Sequence, residues 1–162
     1  VPTGQNAQRE RLRRYLRDTG FGYLQNSVWI SPDPLTAERE VLGGGQINVE
    51  SLILLEARPC AGESDAEMVA GAWDFERINR RYVRHLKILE ERPGDALGNV
   101  AAAKALRRWS ATEREAWLDA VINDPLLPGR ILPSDYLGQQ AWRRRVEVLR
   151  AAHRQLRTFK PE

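Results

Sequence analysis

Few residues in this chain are equipped to attack, transfer a proton or hold a metal. His85 and His153 are the only histidines. Neither has a second histidine or a carboxylate three or four residues along, the spacing that builds a metal site on one helix face. Cys60 is the single cysteine, which excludes an intrachain disulfide and a cysteine-based zinc site. No Gly-x-Ser-x-Gly elbow is present, and Glu90 and Glu91, being adjacent, point in different directions on a helix. Gly43-Gly44-Gly45 lacks the lysine and the Ser/Thr of a phosphate loop and reads as a hinge. The residues support no catalytic, metal or cofactor assignment, and a non-enzyme is expected.

What remains is the chemistry of anion recognition. Arg9, Arg13 and Arg17 recur every four residues, accompanied by Arg11 and Arg14, and Arg143, Arg144, Arg145, Arg150, Arg154 and Arg157 crowd the C-terminal region. A guanidinium pairs two hydrogen bonds with a phosphate or a carboxylate, so such helices suit anionic ligands, although a solvated face accounts for the same pattern. Trp73, Tyr82, Trp109, Trp117 and Trp142 each fall on a predicted helix. Arginines at the mouth of an aromatic-lined pocket would take a ligand with an anionic end and an apolar end, while ordinary core aromatics explain the same residues. The candidate contact residues are therefore Arg9, Arg13, Arg17, Trp73, Tyr82, Trp109, Trp117 and Arg143.

The elements that must position them follow from periodicity. A chain of 162 residues with 42% hydrophobic content and a net charge of +3 can bury a core without staples. Its longest apolar run, Ser51–Ala57, is too short to span a membrane, and nothing at the N-terminus reads as a signal peptide, so a soluble cytoplasmic protein is expected. After an irregular lead-in, Val1–Asn6, a helix is predicted over Ala7–Thr19, stopped by Gly20 as a left-handed cap. Gly22–Ile30 is rich in aromatic and β-branched residues and reads as one strand ended by Pro32 and Pro34. Leu35–Leu42 suits a short helix, and Ile47–Ala57 a strand buried on both faces. Ser64-Asp65-Ala66-Glu67 has the form of a capping box opening a helix to Trp73.

From Asp74 onward the pattern is helical. Phe75, Ile78, Tyr82, Leu86 and Leu89 form one stripe on a helix over Asp74–Glu91, closed by Pro93-Gly94. A helix over Leu97–Trp109 is followed by a second capping-box pattern, Thr112-Glu113-Arg114-Glu115, which opens another through Val121. Asp124–Gly138 is irregular. The last helix, Gln139–Arg157, is expected to bury Trp142, Val146, Leu149, His153 and Leu156.

Taken in order, Arg9–Leu16 with Gly20-Phe21-Gly22, then Ser27-Val28-Trp29-Ile30-Ser31-Pro32, Ala72-Trp73-Asp74, Tyr82, Asp124-Pro125-Leu126-Leu127-Pro128 and Leu132-Pro133-Ser134-Asp135-Tyr136-Leu137-Gly138 resemble the PaaX family of transcriptional repressors of the phenylacetate-degradation type. The resemblance runs over nearly the whole chain and implies an α+β fold. A partial ferredoxin-like unit, similar to a small CRISPR-associated nuclease, would occupy residues 1–73, and an all-helical C-terminal domain residues 74–162. In the family a winged helix precedes these parts. The resemblance implies that this domain and most of the middle domain's first strand lie outside the chain. The nuclease-like relatives carry a metal-binding aspartate at the end of that strand, which has no counterpart here.

The function so implied is the effector-sensing and dimerising part of a DNA-binding repressor. It would be homodimeric, hold operator DNA through the winged helix, and respond to an aryl acyl-CoA. A ferredoxin-like metal-dependent nuclease and a non-catalytic interaction module stand as alternatives.

Overall fold

The structure is a computed structural model and describes residues 3–35, 52–60, 62, 64–94 and 99–158. It is mixed and helix-rich: among the described residues it holds a two-stranded antiparallel sheet and five α-helices. None of these helices is long and apolar enough to cross a membrane. The chain forms two compact units, Val1–Asp74 with Pro125–Pro133, and Phe75–Asp124 with Ser134–Glu162. The division thus falls between Asp74 and Phe75, and the segment 125–133 clusters with the first unit although helices of the second flank it in sequence.

In the first unit, helix α1 (Thr3–Asp18) starts four residues before the expected Ala7 and takes in much of the lead-in. Leu16 is its buried residue, with Leu12 and Tyr15 half-buried beside it, while Arg9, Arg11, Arg13, Arg14 and Arg17 are all exposed. The helix ends as predicted at Gly20, which sits at φ +87° and lets the Phe21 amide return to the Leu16 carbonyl at 2.9 Å.

The single strand expected over Gly22–Ile30 is instead a hairpin, β1 (Gly22–Gln25) and β2 (Val28–Ile30). Gly22 pairs with Ile30 and Tyr23 with Trp29, with a bulge before Gln25 meets Val28. The physical reason is the turn. Asn26 and Ser27 both take positive φ, 45° and 70°, the conformation of a two-residue loop whose twist matches the flanking strands. Tyr23 and Trp29 face each other edge to face at 5.2 Å across the ladder.

A second correction concerns the buried strand expected over Ile47–Ala57. Its first part lies outside the described residues, as does the helix expected over Leu35–Leu42 beyond Leu35 and the glycine triplet. The remainder, Leu52–Ala57, forms no strand or helix, and Ile53 and Leu55 are 76% and 75% exposed. A strand exists only by pairing, and no described strand lies against this segment.

Helix α2 (Asp65–Ala72) opens on the predicted capping box: the Glu67 amide donates to Ser64 Oγ at 3.2 Å, and the Ser64 amide to Glu67 Oε2 at 2.9 Å. At its other end Trp73 lies over Gly22 and donates its indole N–H to the Gly20 carbonyl at 3.3 Å.

The second unit is built on α3 (Phe75–Glu90), α4 (Val100–Ile122) and α5 (Gly138–Thr158). Helix α3 buries Phe75, Ile78, Tyr82, His85 and Leu89, so its predicted stripe holds except that His85 joins it and Leu86 is only partly covered. Leu89, Leu106, Trp109, Val148 and Ala152 form the core that joins the three helices.

Two helices were expected where α4 runs unbroken from an Asn99 cap. Thr112 does not cap: its hydroxyl donates back to the Arg108 carbonyl at 3.3 Å, a bond compatible with a continuing helix. Helix α5 is also rotated from expectation. Ala141, Val148, Ala152 and Gln155 are buried, each one residue before a position expected inside. One residue is about 100° of helix, and Trp142, His153 and Leu156 are accordingly exposed.

Two glycine substitutions test the first unit. A Cβ on Gly22 would lie 2.7 Å from the Trp73 indole and 2.8 Å from the Ala72 methyl. Gly22→Ala is expected to cost about 1–3 kcal/mol in urea unfolding followed by tryptophan fluorescence. A Cβ on Gly71, inside α2, meets only Leu24 at an ordinary 3.4 Å. Gly71→Ala is expected to be neutral or stabilising by up to about 1 kcal/mol. Equal midpoints for the two variants would remove the close approach of Trp73 to the hairpin.

Candidate functional site

The charged centre of the second unit is Glu113, which the α4 backbone places on the inward face and which is almost fully buried. A carboxylate there needs partners from other elements. His85 of α3, itself fully buried, places Nε2 2.9 Å from Glu113 Oε1. Arg145 of α5 donates from Nε to the same oxygen at 2.7 Å and reaches Oε2 at 3.4 Å. Burial pushes the Glu113 carboxyl upward. The hydrogen bonds from His85 and Arg145, and their charges, outweigh it and hold the group below its ordinary 4.5.

An aromatic stack lies against this centre. The Trp117 ring is 5.1 Å from His85, 6.1 Å from Tyr82 and 5.6 Å from Trp142, and the Arg145 guanidinium carbon is 4.9 Å from its centroid. The cation is thus shared between a carboxylate and an indole face. Trp142, tilted 37° to Trp117, leaves 52% of its surface exposed. Here the one-residue rotation of α5 has its effect, turning Arg145 inward and Trp142 outward.

A second polar knot secures the opposite end of Tyr82. Asp124, buried just past α4, accepts hydrogen bonds at Oδ2 from the phenols of Tyr82 and Tyr136. Burial, and then the Asp124 carboxylate, push both phenols well above the ordinary 10, so both remain donors. Tyr136 stands edge-on to Phe75 and Tyr82, and a Cβ on Gly138 would overlap its phenol. The Asn79 side chain donates to the Asp135 carbonyl at 3.0 Å and accepts from the Leu137 amide at 3.0 Å, fixing the approach to α5.

The residues singled out from sequence are divided between the two units. Tyr82 and Trp117 meet in the stack. Trp109 is core, its indole N–H donated to the Ile88 carbonyl at 2.7 Å, where it satisfies an orphan group at the end of α3. Arg143 is exposed on α5, its Nε 3.4 Å from the Gln139 carbonyl of the same helix. Arg9, Arg13, Arg17 and Trp73 belong to the first unit. Residues of the site that sequence reasoning passed over are His85, Glu113, Asp124, Tyr136 and Arg145. The Asp-Pro and Asp-Tyr-Leu-Gly blocks that hold Asp124 and Tyr136 were their available signal. Among the described residues no group of three His, Cys, Asp or Glu side chains is arranged to hold a metal ion. The buried acids and phenols are satisfied by one another, and the part of the arrangement turned to solvent is the half-exposed Trp142 indole.

Residues 1–69 match the family model of the PaaX protein central Cas2-like domain. The first unit is thus similar in sequence to a Cas2-like domain. Over this stretch, which is less than half of the chain, the sequence is similar to the central domain of PaaX proteins. No curated protein and no solved structure matches the chain.

Glu113 makes stability depend on pH in a defined direction. Its folded-state pKa lies below the unfolded value, so its contribution is present above the ordinary carboxylate range and is lost as pH falls through the folded value. Glu113→Gln is expected to cost on the order of 3 kcal/mol at pH 7, because Arg145 loses its counter-charge. The gap to wild type should narrow as pH drops below about 4.5. Parallel thermal midpoints for the two proteins from pH 7 to pH 3 would contradict this assignment.

Proposed function

We propose that this chain supplies the effector-sensing and dimerising part of a PaaX-type transcriptional repressor. It would act in the cytoplasm, hold operator DNA through a winged-helix domain, and release it when an aryl acyl-CoA binds. The observation that carries the proposal is the match of residues 1–69 to the PaaX central domain. The first unit is proposed to be ferredoxin-like, with α1 and the β1–β2 hairpin as its described parts. The second unit is proposed as the sensing element. Its exposed Trp142 on Trp117 offers an aromatic step to an aryl group, and exposed Arg143 follows directly in sequence for an anionic end. Arg9, Arg13 and Arg17, on the exposed side of α1, remain proposed anion contacts of the first unit.

Thermal denaturation with ligand tests the sensing role. An aryl acyl-CoA thioester at a hundred times its dissociation constant is expected to stabilise the protein by about 2.7 kcal/mol, read as a rise in Tm. Coenzyme A without the aryl group should give a smaller rise, and Trp142→Ala should reduce the response to the thioester towards that of coenzyme A. A flat response at saturating thioester removes the sensing role.

A further inference from the structure

The two units differ in charge. The first has eight Lys and Arg against eleven Asp and Glu, the second seventeen against eleven. Much of the excess sits on α5, which carries six arginines and one acid, Glu147. These arginines are not equivalent. Arg145 is committed to Glu113, and Arg144 lies 3.3 Å from Glu147. Arg143, Arg150 and Arg157 are exposed and have no ion-pair partner among the described residues.

Their spacing is seven and seven. At about 100° per residue, positions seven apart lie within about 20° of one line along a helix. The inward stripe of α5 is Ala141, Val148, Ala152 and Gln155. Counted from Ala141 at 0°, Val148, Ala152 and Gln155 fall within about 40° of it, whereas Arg143, Arg150 and Arg157 fall at about 200°, 180° and 160°. The three guanidinium groups therefore form the outermost ridge of the helix, directly opposite the face that packs on α3. Seven residues rise about 10.5 Å, close to the roughly 10 Å advance of three phosphates along one strand of a DNA duplex.

We infer that the Arg143–Arg150–Arg157 ridge is a contact for the phosphate backbone of double-stranded DNA, independent of base sequence. The ridge offers charge and fork-shaped donors, which suit phosphates, and phosphate contacts position a protein on a duplex without selecting sequence. The choice of DNA among polyanions rests on the regulator reading given above. The ridge adds to it a backbone contact outside any winged helix.

Fluorescence anisotropy of the 162-residue chain with a labelled duplex of arbitrary sequence, from 50 to 250 mM KCl, tests the inference. Binding should weaken steeply with salt. In the triple variant Arg143→Gln, Arg150→Gln, Arg157→Gln, the log–log slope should become shallower by about 2.7, and affinity at 100 mM salt should fall at least tenfold. Glutamine keeps helix propensity, and circular dichroism will show whether α5 is retained. The corresponding triple lysine variant should keep most of the slope, because charge and not side-chain packing carries it. No duplex binding at 50 mM salt, or an unchanged slope in the glutamine variant, overturns the inference. So does equal, ridge-dependent binding of a labelled polyglutamate peptide, since a polycarboxylate held as tightly as the duplex removes DNA as the partner. The regulator reading fails separately: a transcriptional reporter that ignores the protein sinks that reading while the salt slopes still decide the ridge.

Discussion

A buried carboxylate must be neutralised where it stands, and in the second unit that requirement governs the packing of three helices. Glu113 comes from α4, while the groups that answer it come from α3 and α5. Burying an ion costs several kcal/mol unless paired and hydrogen-bonded, so α5 cannot turn about its axis without stranding either Glu113 or Arg145. The small side chains of Ala141 and Ala152 suit the same orientation. Once it is set, the position of every other α5 residue follows, including the outward tryptophan and the line of arginines.

That coupling explains which parts of the chain could be read in advance. Helix α3 carries its apolar residues at regular spacing, and Ser64 with Glu67 satisfies a local rule, so both were legible from neighbours alone. The last helix has two competing stripes one residue apart. One holds the large residues Trp142, Leu149 and Leu156, and the other the small residues Ala141, Val148 and Ala152. Hydrophobicity favours the first, and the distant Glu113–Arg145 pair, 32 residues apart in sequence, goes with the second. The break expected near Thr112 failed for a related reason, since a capping pattern inside a helix is only a local alternative to its continuation. The hairpin was missed because Asn-Ser lacks the glycine that usually marks a two-residue turn.

The short blocks on which the family resemblance was recognised turn out to be points of contact. Within the first unit, Trp73 covers Gly22 and bonds to Gly20. Within the second, Tyr82, Asp124 and Tyr136 share one carboxylate oxygen, and Gly138 leaves room for the Tyr136 ring. These residues are spread along the chain but meet in pairs and triplets, which gives a physical reason for their appearing as an ordered set. The candidate list built from residue type shares Trp73 and Tyr82 with these contact residues. Tryptophans and arginines were chosen for ligand chemistry, whereas Trp73 and Tyr82 act here through a glycine and a carboxylate of their own unit.

The segment Pro125–Pro133 clusters with the first unit, yet the chain enters it from α4 and leaves it towards α5. The second unit is therefore discontinuous in sequence, and no single cut separates the two. Helix α5 reaches its place only after the chain has made this excursion, so the ion pair that orients it closes a loop running through the other unit. Local helix formation in α3 and α4 can come early, but completion of the helical core carries the loop-closure cost of that detour. Folding of the two units is thereby linked through the covalent path of the chain.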